Sequence, residues 1–504
     1  MELTKDQKKA YELMASGENV FLTGEAGTGK SFLLNEFIKD NQDKNILITA
    51  PTGIAAIEID GATLHRTFNI PVKDLYKVHK GPRRANKAIM AADILVIDEI
   101  SMCRLDVFEY VLKSIEQANK ERHKDDACQI ILVGDFLQLP PILSKDEIGI
   151  YKELYGHEQV FPFFSPMWNK FKFKIVELKE VVRQQGDDTL IQNLNKARRG
   201  DHSCITYFNK FVTPYKNLNN NAIFICPTNR AASEINKQKI DELEGSSQTY
   251  ISEVTGEVKY SDKPTEDELE LKVGARIMTL INNTEEGYSN GSMGTCIGLL
   301  IDGIIAEMDN GAVVKINRHE WEVKEYETVK GKNKEGKVEE KVKLKKIGSF
   351  EQLPIKIAFA ITTHKSQGQT FDSVVIDPYA WDSGQLYVAL SRVKSADGLQ
   401  LSKAIRDNYL IANNNVLSFY DQDIEKNLQE EVKKQLDTES NEATKDEELI
   451  PIKLKTMYFP ENHAGILHEV SDAIMSNDKE RFLEIANKIW KWNNPELGLF
   501  FIWA

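Results

Sequence analysis

Residues 24–31, GEAGTGKS, fit the spacing G-x-x-x-x-G-K-S and sit between an apolar run at 20–23 and a segment of helical periodicity at 30–39. No other feature restricts the fold of the chain as much. A glycine-rich turn leading from a strand into a helix wraps its backbone N–H groups around an anion, and the helix N-terminus adds positive potential. Gly24, Gly27 and Gly29 permit the close approach, with Thr28 in the same cradle; Lys30 reaches the outer phosphates of ATP, and Ser31 offers a hydroxyl to magnesium. Loops of this kind belong to doubly wound α/β sheets, in which ligands bind at the carboxyl ends of parallel strands. A second apolar run at 46–49 completes a βαβ unit.

Two further runs, ADILVID ending at Asp98 and QIILVGD ending at Asp135, lack polar alternation, the pattern of parallel strands buried on both faces. Two adjacent carboxylates at a buried strand end are costly unless they have a task. Beside a phosphate loop, Asp98 is expected to bind magnesium, directly or through water, and Glu99 to polarise the attacking water. GDFLQLPP (134–141) follows the next strand and puts Gln138 where an amide can sense a γ-phosphate. One such domain would serve a kinase, a GTPase or an assembly ATPase, so the second half of the chain decides. There, AIFICPTN (222–229), IAFAITTH (357–364) and DSVVIDP (372–378) read as a second set of buried strands. Arg183, in LKEVVRQ, and Arg392, in LYVALSRVKS, follow apolar stretches and are candidates to reach ATP from the second domain as arginine fingers. Taken singly, either arginine is an ordinary surface or ion-pair residue. Between these blocks, residues 271 to about 350 hold short strands separated by Gly and Asn turns, which suggests an inserted small β-barrel. Its Lys/Glu-rich stretch at 330–346 reads as an exposed hairpin or a loop.

At 504 residues the chain needs several domains. No apolar run approaches the roughly 20 residues that span a bilayer, and the charged N-terminus lacks a secretory pattern, so the expected location is intracellular, cytoplasmic in a bacterium, with no membrane partner. Five scattered cysteines without C-x-x-C spacing read as reduced, buried thiols. A net charge of -13 argues at first against a nucleic-acid partner, but residues 421–504 carry 18 Asp or Glu against 10 Lys or Arg, so -8 of it sits there. A groove elsewhere is free to be locally positive, since screening acts over about 8 Å. Residues 421–449 read as a charged linker or helix, and 450–504 as a small helical domain of unassigned role that is a candidate for binding a protein partner.

The ordered run of motifs resembles superfamily 1 helicases: GEAGTGKS, TAPTGIAA (49–56), ATLHRTF (62–68), VIDEISM (96–102), LVGDFLQLPP (132–141), ELKEVVRQ (177–184), AITTHKSQGQT (360–370) and YVALSRV (387–393). The wording DEISM followed by GDFLQLPP is similar to the Pif-one family, relatives of RecD. The resemblance spans roughly residues 1–415 and implies two RecA-like domains, 1–180 and 181–420, moving 5′ to 3′ on single-stranded DNA as a monomeric motor and unwinding duplex at single-strand/duplex junctions. It implies adenine recognition by Gln7, and γ-phosphate sensing by Gln138, Arg183, Gln367 and Arg392. Contacts to the strand fall to Pro51, Thr52, Gly53, His65, Thr363, His364 and Lys365. It also places a duplex-splitting wedge at about 66–87, where a solvated basic loop is the plainer reading, and gives the β-insertion the character of a Src-homology barrel. An RNA helicase, a RecD-like subunit of a larger complex, and an ATP-controlled clamp that does not unwind remain alternatives.

Overall fold

The computed structural model describes residues 3–71, 74–122, 127–180, 187–219, 221–283, 285–332 and 338–422. It divides into two units, 1–413 and 414–504; of the second only 414–422 are described, and these are helical. Arg183 and the tail expected to form a helical domain at 450–504 lie outside the described residues.

The first sheet contains β1 (Val20–Gly24), β2 (Ile46–Ala50), β3 (Ala62–Thr63), β4 (Ile94–Ile97), β5 (Gln129–Val133) and β6 (Lys174–Leu178), all parallel, in the order β3-β2-β4-β5-β1-β6. Every residue of β1, β4 and β5 is buried, as expected of apolar runs covered by helices on both faces. The order matters for chemistry: β4, β5 and β1 are neighbours, so the loops leaving their carboxyl ends, which carry Asp98 and Glu99, Gln138, and the GEAGTGKS turn, converge. The basic stretch expected to be a solvated loop or wedge is partly packed. Its helix Leu75–Lys80 buries Leu75 and Val78, and two side chains of the helix Leu105–Glu121 hold the stretch: Lys113 donates to the His79 carbonyl at 3.4 Å and Gln117 to that of Arg83 at 2.9 Å.

The second sheet is also parallel, in the order Ala360–Thr362, Ile223–Cys226, Val374–Ile376, Leu399–Leu401, and its core includes Ile225, Ile361, Val374 and Leu390. Antiparallel strands interrupt it from Gln248 to Ile357, a wider span than 271–350. The flanking strands Gln248–Ile251 and Glu253–Gly256 escape a sequence reading because nearly all their side chains face outward. Five strands of the insertion form one sheet over Tyr250, Leu271, Ile277, Ile304 and Ile316. The described residues of the Lys/Glu-rich stretch lie in the arms of a long hairpin, His319–Lys332 and Val338–Gln352, where opposite charges meet between the strands: Lys346 pairs with Glu320 at 2.5 Å and Lys345 with Glu327 at 3.7 Å.

That hairpin lies along an open stretch of the first sheet. Because β3 pairs only with Thr49 and Ala50, the backbone of Ile48 has no strand neighbour on that side. The Tyr326 hydroxyl supplies one: it accepts from Ile48 N–H at 2.7 Å and donates to Ile48 C=O at 3.1 Å. Asn45 mimics a strand next to it, donating to Glu340 C=O at 3.1 Å and accepting from Val342 N–H at 3.0 Å. Among the described residues no helix is long and apolar enough to cross a membrane. All five cysteines are buried and free, as expected.

Candidate nucleotide site and nucleic-acid interface

The phosphate loop leaves β1 at Gly24, whose φ of +142° and close packing leave no room for a side chain; a Cβ there would lie 2.4 Å from Leu178 C=O. Gly29, at φ +82°, is covered by Gln7, whose Nε2 would meet a Cβ at 2.7 Å. Gln7 is placed by a capping box with Thr4 at the start of the helix Lys5–Ala15, and its Nε2 donates to Thr28 C=O at 3.2 Å, so the residue assigned to the base lies directly on the phosphate loop. Gly27 also has positive φ, and buried Thr28 donates its hydroxyl to Glu25 C=O at 3.0 Å. Lys30 Nζ donates to the carbonyls of Gly24 and Glu25, both at 2.9 Å. Burial pushes its ammonium below the usual lysine range, against the pull of Asp135, Glu99 and Asp98. Ser31 is exposed in the first turn of the helix Lys30–Asp40.

Asp98 is buried at the end of β4, and its carboxylate accepts from Glu99 N–H at 2.9 Å. Glu99 itself takes a left-handed backbone, φ +49°, which turns its side chain out of the strand direction. Burial, and then the charge of Asp98, push the Glu99 carboxyl up to about 7. Gln367, from the second sheet domain, donates through Nε2 to Glu99 at 3.0 Å and lies 3.4 Å from the Gln138 amide oxygen. The Gln367 Oε1 atom is buried without a hydrogen-bond partner. One carboxylate and two amides from two domains thus form a single cluster.

Arg392 is almost wholly buried, and its guanidinium donates to the carbonyls of Val388 at 2.7 Å, Gln369 at 3.1 Å and Ser366 at 3.2 Å. It therefore ties its own helix, Gln385–Leu390, to the loop that carries Gln367, and its charge is felt at Glu99. The guanidinium also donates to the Ser391 hydroxyl at 2.7 Å.

The residues assigned to the strand divide between the two sheets. Pro51 and Thr52 follow β2, the second strand from one edge, and His65 follows β3 at that edge; Thr363, His364 and Lys365 follow Ala360–Thr362, an edge strand of the second sheet. Thr52 caps the short helix Gly53–Glu58. Gly53 is buried, and a Cβ on it would lie 2.5 Å from Ser261 C=O in the insertion. Nearby, Arg66 pairs with Asp262 at 2.5 Å. Thr363 is buried against Cys226 C=O, His364 is half-buried and held below the usual histidine range by burial, and Lys365 is exposed.

Residues 2–203 match the family described as PIF1-like helicase. The ATP-dependent DNA helicase Pif1 of Psychrobacter sp. is 32% identical over 461 residues, covering 78% of this chain and 67% of that protein. The ATP-dependent DNA helicase Pif1 of Campylobacter jejuni is 30% identical over 455 residues, covering 81% of this chain and 96% of its own length. The chain belongs to the PIF1-like helicase family. Among solved structures, Bacteroides sp. Pif1 in complex with ADP-AlF4 is similar at TM-score 0.71 and 30% identity, over 83% of this chain and 96% of that one. Bacteroides Pif1 bound to single-stranded DNA, with the same coverage and 32% identity, has a TM-score of 0.58.

Two residues of this PIF1-like site carry no sequence signal of their own. Arg198, on the helix Asp188–Arg199, makes a two-pronged bond to Asp135 with both distances 3.0 Å and a third to Glu177 at 3.0 Å, locking the root of the Gln138 loop to β6. Tyr387 accepts from the N–H of Ala26 in the phosphate loop at 3.2 Å, a direct link between domains. Helical periodicity flags both as ordinary positions.

Proposed function

We propose that this chain is an ATP-hydrolysing DNA helicase that moves 5′ to 3′ along single-stranded DNA and unwinds duplex or folded DNA. The observation that carries the reading is the cluster of Glu99, Gln138 and Gln367, in which the hydrolytic carboxylate of one sheet domain is hydrogen-bonded by an amide of the other. A site completed by two domains ties the state of the nucleotide to the distance between them, and strand contacts on both domains then turn that distance into steps. The names of the relatives, ATP-dependent DNA helicases, support the same reading.

In this mechanism the backbone amides of residues 24–31 and Lys30 hold the phosphates, and Gln7 sits against the loop beside the base. Ser31 and Asp98 present the hard oxygen donors that suit magnesium, which when bound neutralises charge on the phosphates. Glu99 in its ionised form orients and polarises the attacking water, and the unpartnered Gln367 Oε1 offers that water a second acceptor. Arg392, whose charge already reaches Glu99, and Arg183 are the proposed arginine fingers. Pro51, Thr52, Gly53, His65, Thr363, His364 and Lys365 form the track, residues 66–87 the wedge, and the β-insertion closes over the strand in the manner of a Src-homology barrel.

The test is strand separation with ATP and magnesium on duplexes carrying only a 5′ tail or only a 3′ tail, in DNA and in RNA. Unwinding of the 5′-tailed DNA alone is expected. ATPase activity stimulated by single strands without unwinding of any substrate would move the assignment to a clamp or to a RecD-like subunit.

A further inference from the structure

We infer that Tyr379 and Trp381 form a base-stacking shelf for single-stranded nucleic acid, an inference that rests on the proposed track at Thr363–Lys365 and extends it across the second sheet. Both rings stand in the segment 377–384, which leaves the carboxyl end of the strand Val374–Ile376. That strand pairs with Ile223–Cys226, which pairs in turn with Ala360–Thr362, the strand running into Thr363, His364 and Lys365. Two strand spacings separate the two carboxyl ends, about 10 Å. Asp382, in the same segment, and His364 lie close enough to feel each other's charge.

Trp381 is 48% exposed and Tyr379 43%, two exposed rings side by side rather than scattered singly. Their centroids are 5.9 Å apart, and neither ring belongs to the hydrolytic cluster. The segment is rigid rather than loose. Trp381 N–H donates to the buried Gln385 side chain at 3.1 Å, and Tyr379 N–H donates to Asp377 at 3.0 Å. Tyr409 braces Tyr379 edge-on at 5.4 Å, and Lys403, paired with Asp377 at 2.7 Å, lies 5.8 Å from the Tyr379 ring centre. Rings held open in this way lose little freedom on binding a flat partner.

Local charge identifies which part of a strand the shelf takes. The cation beside the rings, Lys403, is already paired with Asp377 at 2.7 Å, so the shelf itself is a poor phosphate site. What it offers is π surface, and every base has a π face, so the recognition is of stacked bases without sequence preference.

The experiment measures binding of fluorescent oligo(dT) by the full chain over a series of salt concentrations, for the wild type and for Trp381→Ala, Trp381→Phe, Tyr379→Ala and Lys365→Ala. Trp381→Ala and Tyr379→Ala are expected to weaken binding roughly 5- to 150-fold, the range for loss of one stacked base, without changing the slope of log K against log salt. Trp381→Phe keeps a ring and should stay near the wild type. Lys365→Ala should instead flatten that slope by about 0.7. As a check independent of the alanine variants, oligo(dT) should quench tryptophan emission in the wild type and not in Trp381→Phe. Binding by Trp381→Ala within twofold of the wild type, with no quenching, overturns the shelf. So does a changed sedimentation coefficient with unaltered oligo(dT) binding, which would make the rings a contact between copies. If Lys365→Ala acts and Trp381→Ala does not, the shelf alone falls; if neither acts, the track falls with it.

Discussion

At Gly384 the second sheet domain presents bare backbone to the loop that carries Gln138. A Cβ built on Gly384 would lie 2.3 Å from Gln138 C=O and 2.5 Å from Leu137 C=O, whereas real Cβ atoms stay beyond 3.0 Å. Gly384→Ala therefore forces a retreat of at least about 0.7 Å, the difference between 3.0 and 2.3 Å. The backbone at φ +71° adds a penalty of about 1–2 kcal/mol for any residue with a side chain. Gln367 and Gln138, already 3.4 Å apart, then separate beyond hydrogen-bond reach, and the Gln367 bond to Glu99 is strained with them. A misplacement near 1 Å at a reacting centre costs on the order of 100-fold. DNA-stimulated ATP hydrolysis by Gly384→Ala should fall roughly 10- to 100-fold, while binding of an ATP analogue, which depends on the untouched phosphate loop, changes little. Gly287→Ala is the control: it has φ +81° and nothing within 4 Å of its Cβ, so it bears the backbone penalty without the clash. Wild-type turnover in Gly384→Ala, or an equal loss in Gly287→Ala, would refute the argument that close approach of the domains at this glycine is what hydrolysis needs.

Further outcomes are expected at three other places. The Glu99 carboxyl is raised to about 7 by burial and by Asp98, and its ionised form is the one that polarises water, so kcat/KM for ATP should fall as pH drops through 7. At pH 6 it should stand about tenfold below its plateau, with Glu99→Gln inactive throughout; a flat profile from pH 6 to 8 removes Glu99 from this role. Arg198→Met leaves Asp135 and Glu177 without their shared cation and should cost about 3–5 kcal/mol in urea unfolding; adding Asp135→Leu should recover part of that loss if the pair is the cause. Tyr326→Phe keeps the ring but strips the Ile48 backbone of both hydrogen bonds. It is expected to cost about 1–3 kcal/mol locally, read as roughly 5- to 150-fold faster amide exchange at Ile48; unchanged exchange would mean that the hairpin does not protect that edge.

The nucleotide site was legible in the sequence because its parts are local. GEAGTGKS is one turn between one strand and one helix, and DE and GDFLQ each end an apolar run, so short-range pattern suffices to place them at strand ends. The β-insertion was legible for the same reason where its strands alternate, and illegible at Gln248–Ile251 and Glu253–Gly256, whose outward side chains leave no apolar period. The Lys/Glu-rich stretch is ambiguous in one dimension because its charges look solvated; paired across a hairpin they neutralise each other.

By itself, then, the sequence determined which turn joins which strand to which helix, which carboxylates end which strands, and which family's order of motifs the chain follows. Tertiary structure alone decided how those groups are coupled. That Gln367 reaches Glu99, that Gly384 rests on the carbonyls of Leu137 and Gln138, that Arg198 joins Asp135 to Glu177, and that Arg392 binds the carbonyls of Ser366 and Gln369 all depend on residues 21 to 268 positions apart. Periodicity reports only the face a residue buries within its own element. The partner across a domain boundary is set by how two sheets pack, and nothing in local spacing encodes that distance.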